Sequence, residues 1–139
     1  FMPINTEIDP CPAMAEASAH GAVGVPVITA ATTPLESARW SPGVVMVEGA
    51  LKAHIPADIE WMIPEIVIVP LVAWDETGGR LGYGGGFYDR TLEGLRARGP
   101  VLAIGFAFNV QQAYDLPLEV TDQPLDMIVT EDRVLTIGD

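Results

Sequence analysis

Cysteine, basic charge and long apolar runs are all scarce in this chain of 139 residues. Cys11 stands alone, so no intrachain disulfide can form, and it reads as a small buried apolar residue rather than a redox-active thiol. Against 19 Asp and Glu there are 7 Lys and Arg, a formal net charge of −12. Nucleic-acid backbones and anionic membranes both demand a basic footprint, so neither is an expected partner. An anionic metabolite would have to be held by backbone N–H groups, a metal, or those few arginines. The longest apolar run, Ile66 to Trp74, is nine residues, about half of the ~20 that a membrane-spanning helix needs. No charged-then-apolar leader is visible either, and the expectation is a soluble, cytoplasmic protein.

What is present is enough apolar material for a core. At 49% hydrophobic the chain is too apolar for disorder and is read as a single domain over 1–139. Short apolar runs alternate with helical stretches. An Ala-rich helix is expected over Met14 to His20, with Pro12 in its first turn and Gly21 as its stop. "VGVPVITA" (Val23 to Ala30) reads as a strand, with Pro26 marking an edge or bend. Thr32 to Glu65, with four prolines, reads as irregular apart from a possible short strand in "VVMVEG". "IVIVPLVAW" lacks alternation, as a strand buried on both faces would, and Pro70 should end its pairing near Val69. A helix beginning near Tyr88 and ending at Gly99-Pro100 follows, then a second buried strand, Val101 to Phe108. "DMIVT" and "RVLTI" close the chain around a turn at Glu131 and Asp132. Strand, crossover helix and strand in this order imply an α/β domain with a mostly parallel central sheet.

Ligands of such sheets collect beyond the carboxyl ends of the strands. There lies "DETGGRLGYGGGFYDR", Asp75 to Arg90, with six glycines, two arginines and three acids in sixteen positions. Gly82, Gly84, Gly85 and Gly86 permit close backbone approach, so successive N–H groups can point at one anion at a helix start. Arg80 can grip that anion with a planar fork. The bare glycine pattern is weak: no "GK[ST]" follows it, and its spacing is not the dinucleotide fingerprint. A flexible glycine-rich turn is its bland alternative. Asp89 is either a helix-start acid or a Mg²⁺ ligand beside phosphates.

Taken whole, "VPLVAWDETGGRLGYGGGFYDRTLEGLRARG" closely resembles the signature of the 5-formyltetrahydrofolate cyclo-ligase family, also called 5,10-methenyltetrahydrofolate synthetases. "FMPINTEID" is similar to the family's early strand and acidic turn, "RWSPG" to its middle segment and "LPLEVTDQPLDMIVTE" to its closing motif. The resemblance implies a three-layer α/β/α sandwich and an ATP-driven ring closure. In that reaction 5-formyltetrahydrofolate and ATP give 5,10-methenyltetrahydrofolate, ADP and phosphate. The γ-phosphoryl activates the formamide oxygen, N10 attacks the carbon, and phosphate leaves. No side-chain nucleophile is needed, which suits a sequence without a Ser-His-Asp spacing and with two isolated histidines, His20 and His54.

By the same resemblance, Arg80, Gly82, Tyr83, Gly84, Gly85, Gly86 and Tyr88 would bind ATP. Asp89 and Asp122 would hold Mg²⁺. Tyr88 would line the pterin pocket, and Glu7 would accept hydrogen bonds from pterin N–H groups. Arg80, Tyr88 and Asp89 are the expected catalytic residues. Each has a bland alternative: Glu7 a solvated turn acid, Asp122 a loop cap, Tyr88 a core aromatic with its hydroxyl in water. Trp40, Trp61 and Trp74 read as packing residues rather than folate-stacking ones. The chain departs from the family pattern in three places. Thr121 stands where a His is usual, Ile55-Pro56 where a Glu-Pro pair is usual, and nothing in 1–139 matches the family's basic N-terminal helical segment. Either that segment lies upstream of Phe1, or the protein does not bind ATP in the family's usual way. A monomer or small homo-oligomer is expected. Two alternatives stay open, a non-catalytic folate- or nucleotide-binding relative and a sugar-phosphate enzyme on a similar sheet.

Overall fold

Two β-branched or aliphatic runs bracket an amphipathic helix, and that triplet organises the molecule. The computed structural model describes residues 1–3 and 6–137. Strand β6 (Ile66–Val69) ends one residue before Pro70, which has no N–H to give to a ladder. Helix α2 (Phe87–Arg98) follows the glycine loop and stops at Gly99, and β9 (Leu102–Phe106) then pairs parallel with β6 in the register Ile66 to Leu102 and Val69 to Gly105. Strand β10 (Met127–Val129) adds parallel to β9, and β11 (Val134–Thr136) turns back antiparallel on β10. The sheet order is β11-β10-β9-β6.

Val69, Ala103 and Ile128 from three neighbouring strands, Leu92 from α2, Trp74 from the short strand Ala73–Trp74, and Leu71, Ala107 and Leu125 from the connections form one buried cluster. Its side chains supply the hydrophobic drive at about 1.5–3 kcal/mol for each large one fully buried. Leu92 from the middle of α2 and Tyr88 from its first turn both pack on this cluster, which sets the start of that helix against the end of β6.

A second sheet is antiparallel throughout. Strands β1 (Val23–Val27), β2 (Glu36–Trp40) and the short β5 (Trp61–Met62) are ordered with β2 in the centre. Pro26 therefore sits on an edge strand, where its missing N–H costs no pairing. Helix α1 (Cys11–Ser18) lies against β1 and buries Met14, with Pro12 in its first turn. Two further antiparallel pairs complete the described strands: β3 (Met46–Glu48) with β4 (His54–Pro56), and β7 (Ala73–Trp74) with β8 (Arg80–Leu81).

Three expectations are corrected. A three-layer sandwich around a mostly parallel sheet gives way to a mixed α/β fold whose parallel ladders, among the described residues, are β6 with β9 and β9 with β10, beside one isolated parallel bridge between Trp74 and Gln112. Thr32 to Glu65 is not irregular. It contains four short strands whose regularity comes from partners, not composition. The run from Ile66 to Trp74 pairs only as far as Val69, as expected, but it is not buried on both faces, since Ile66 is 57% exposed. Ile4 and Asn5, within the expected early strand, lie outside the described residues. No described helix is long and apolar enough to cross a membrane.

Candidate functional site

Asp75 sets the site from a distance, through a turn. Its Oδ1 accepts hydrogen bonds from Thr77 N at 2.9 Å, Thr77 Oγ1 at 2.6 Å and Gly79 N at 2.9 Å. This side-chain turn folds Arg80–Leu81 back onto Ala73–Trp74, with Trp74 opposite Arg80. Trp74 is fully buried and donates from Nε1 to Phe108 O at 3.2 Å, so the hairpin is pinned to the core. Burial pushes the Asp75 carboxyl up, but the three hydrogen bonds outweigh it and hold the group below its ordinary 3.8. A carboxyl lowered on folding stabilises fully above its unfolded value, and that contribution is lost as pH falls through the folded one. Asp75→Ala should therefore cost about 1–2 kcal/mol at neutral pH. Urea unfolding at falling pH should show the difference from wild type shrinking below the ordinary aspartate range.

The hairpin delivers Arg80 into a buried position, 8% exposed. Its Nη2 donates to Pro70 O at 3.1 Å, its Nη1 lies 3.7 Å from Asp89 Oδ1, and its guanidinium stands 5.6 Å from the Tyr88 ring centroid. Nε is buried with no hydrogen-bond partner. Burial pulls the guanidinium below its ordinary value, and Asp89, Tyr88 and Asp122 act in the opposite sense. An arginine remains charged under such an environment. It is thus a cation held rigidly at the end of a parallel strand.

Close approach explains the glycine that follows. A Cβ at Gly82 would lie 2.6 Å from Arg80 Nη2, so any larger residue would push the guanidinium aside. Gly86, the residue before α2, takes φ 69°, a left-handed conformation that costs other residues about 1–2 kcal/mol. No side chain caps this helix start, leaving its first N–H groups open to a ligand.

Around this loop is a cleft of about 670 Å³, within the size range of small-molecule sites. Glu7, Arg80, Gly82, Tyr83, Gly84, Gly85, Gly86, Tyr88, Asp89 and Asp122 all line it. Every expected site residue is therefore brought to one place, from the N-terminal segment, the loop, α2 and the segment before β10. Ile55 and Thr121, the two departures in this region, line it as well. Val27 at the end of β1, with Ile28 and Leu35 from the segment between β1 and β2, adds an apolar wall.

Tyr83 donates from its hydroxyl to Glu7 Oε2 at 2.8 Å, which links the loop to the acid across the cleft. Burial, together with that bond, pushes its phenol up to about 12. Burial also pushes the Tyr88 phenol up, against the pull of Arg80. Both tyrosines stay neutral at physiological pH. Tyr88 packs against the core cluster while also lining the cleft.

Asp89 sits in the first turn of α2, and its Oδ1 accepts from Gln123 N at 2.9 Å. Asp122 Oδ2 accepts from Glu119 N at 2.8 Å, closing a local turn. No group of three or more His, Cys, Asp or Glu able to hold a metal occurs among the described residues. Two carboxylates on one cleft nevertheless suit Mg²⁺, which takes one or two protein carboxylates and completes its shell with waters and phosphate oxygens. His20 and His54 do not line the cleft. Of the tryptophans, Trp74 is core as expected, whereas Trp61 is 52% exposed. Cys11 is half-buried, and burial pushes its thiol up, which suits an inert side chain.

Composition and spacing do not point to Pro70 O, Gln123 N or Arg90. The first two are backbone groups and leave no trace in residue type. Arg90 is visible in "FYDR", four residues after Gly86, the helical spacing that puts the two positions on one face.

Together these elements define a mixed α/β domain with a glycine-lined ligand cleft at the end of its parallel strands. The profile of the 5-formyltetrahydrofolate cyclo-ligase family matches residues 5–131, and this chain belongs to that family. A 5-formyltetrahydrofolate cyclo-ligase of Escherichia coli K12 is 40% identical over 101 residues, covering 69% of this chain and 55% of the relative. A Mycolicibacterium smegmatis protein of the same name is 31% identical over 121 residues, 82% of this chain and 57% of the relative. The chain thus spans little more than half the length of these curated relatives. The solved Aquifex aeolicus 5,10-methenyltetrahydrofolate synthetase superposes with a TM-score of 0.78 at 33% identity, covering 99% of this chain and 69% of that one.

Proposed function

We propose that this chain carries the nucleotide and folate sites of an ATP-dependent 5-formyltetrahydrofolate cyclo-ligase and folds as a single domain. The observation that supports this most is that Glu7 and Asp122, far from the loop in sequence, line the same cleft as the eight expected residues between Arg80 and Asp89. In this reading, the Gly82–Gly86 backbone and the open start of α2 cradle the ATP phosphates. Arg80, held by Pro70 O and Asp89, presents fixed positive charge where the γ-phosphoryl transfers. Little reorganisation is then needed at the moment of reaction.

Glu7 is proposed to accept the pterin N–H groups. A carboxylate has about four acceptor sites, so it can serve the pterin while Tyr83 keeps its bond. Tyr88, neutral and rooted in the core, forms the floor between the two ligands. Asp89 and Asp122 are the groups that would hold Mg²⁺, which would supply charge neutralisation to the phosphates. The acids lining the cleft make that cation chemically reasonable. Glu7, Asp89, Glu93, Glu119 and Asp122 outnumber Arg80 and Arg90, and a polyanion would otherwise be repelled.

The test is direct. The full-length protein is mixed with 5-formyltetrahydrofolate and MgATP, and the methenyl product is followed in the near ultraviolet. An ATP-requiring rise in absorbance is expected. Folate binding without turnover would move the protein to a binding-only relative, and absence of both would overturn the proposal.

A further inference from the structure

Arg90 is an arginine in the cleft without a carboxylate partner among the described residues, in a chain where acids outnumber bases 19 to 7. The ion pairs among those residues are Arg39–Glu60, Arg80–Asp89, Arg96–Asp126 and Arg133–Glu76. Arg90 has instead a long hydrogen bond from Nη2 to Ala31 O, 3.3 Å, and a position 5.0 Å over the Phe87 ring. Its Nε is buried with no partner, and Nη1 donates to no described atom. A buried guanidinium donor left unsatisfied is costly, and such exceptions call for an explanation.

Its placement is built rather than accidental. A Cβ at Gly86 would come within 2.7 Å of Arg90 Nη1, so the last glycine of the loop is what makes room for this guanidinium. Thr91 beside it accepts from Leu35 N at 2.8 Å and donates to Phe87 O at 2.6 Å, tying the first turn of α2 to the segment between β1 and β2. The planar group is therefore stacked, braced and set against the glycine cradle, with donor capacity left over. Rigid forks of this kind bind phosphate well, because little side-chain freedom remains to be lost.

We propose that Arg90 is a second phosphate-binding arginine of the cleft, on the helix side of the glycine loop and in addition to the strand-borne Arg80. The proposal rests on the nucleotide reading of the cleft. Arg80 is already engaged by Asp89 and Pro70 O, so Arg90 supplies the charge that is still unspent.

Full-length wild type, Arg90→Gln and Arg90→Lys would be compared for kcat, for thermal midpoint and for the Michaelis constants of ATP and of the folate substrate. Arg90→Gln is expected to raise the KM for ATP about tenfold, with smaller changes in kcat and in the folate KM. Arg90→Lys should recover much of that loss, since it restores charge although it lacks the fork. Three results would overturn the proposal: an unchanged KM for ATP, a rise confined to the folate KM, which would assign the anion to folate carboxylates, or a lysine variant as impaired as the glutamine one, which would mean packing. If wild type shows no ATP-dependent turnover, the underlying reading fails on its own. Arg90 is then judged by calorimetric titration with magnesium tripolyphosphate, where about tenfold weaker binding by Arg90→Gln supports the anion site and equal or absent binding refutes it.

Discussion

Arg80→Ala is expected to lower kcat/KM for ATP by about a hundredfold or more, as loss of a preorganised charge at a developing anion does. Both KM and kcat should move, because the guanidinium meets the phosphate in the ground state and holds more of its charge during transfer. The mutation also removes the donor to Pro70 O and the cation 3.7 Å from Asp89. Asp89 keeps its hydrogen bond from Gln123 N, so it is not left without a partner. The cost to the fold should therefore be modest, and near-ultraviolet circular dichroism with a thermal melt would verify it. Arg80→Lys is a sharp control. A lysine ammonium has no planar fork to reach Pro70 O and Asp89 together, so it should restore little. An unchanged ATP dependence in Arg80→Ala would remove Arg80 from the phosphate site.

Parts of the fold are legible in the sequence because local signals and tertiary demands agree there. From β6 through α2 to β9, Pro70 stops a strand, Gly99 stops a helix, and the parallel pairing follows from the order of elements. The stretch from Thr32 to Glu65 is opaque for the opposite reason. Glu36–Trp40 reads "ESARW", with Ala38 alone fully buried among its five residues, and it is a strand because β1 lies beside it. Its other neighbour, Trp61–Met62, comes from farther along the chain, and partners of this kind leave no period in the local sequence. Ile66 differs from expectation for a related reason: apolar composition does not guarantee burial on both faces, and the first residue of this strand faces outward.

The cleft divides in the same manner. Its glycines, Arg80, Tyr88 and Asp89 can be named because a loop between a strand and a helix is a local object. Glu7 and Asp122 come through resemblance, since nothing near them in sequence indicates that they meet the loop. The contact of Tyr83 with Glu7 spans 76 positions, and no spacing rule reaches so far. Arg90 escapes notice because an arginine in a first helical turn has a ready bland explanation. Its significance comes from what is missing around it, which a sequence does not display.

Asp89→Asn should separate metal binding from helix capping more cleanly than any larger change. The amide keeps an Oδ1 that can accept from Gln123 N, so the link between α2 and the segment before β10 can persist. What disappears is the negative charge beside Arg80 and on the cleft. If Asp89 holds Mg²⁺, the variant should need a much higher Mg²⁺ concentration for half-maximal rate and should lose about a hundredfold or more in kcat, because a neutral amide oxygen is a weaker ligand for a hard cation. If Asp89 is only a helix-start acid, the loss is a few tenths to about 1 kcal/mol of stability, with the Mg²⁺ dependence unaltered. A titration of rate against Mg²⁺ at saturating ATP, beside a melt of each protein, distinguishes the two. A variant that melts slightly lower yet works normally returns Asp89 to the helix cap and leaves Asp122 as the carboxylate to test next.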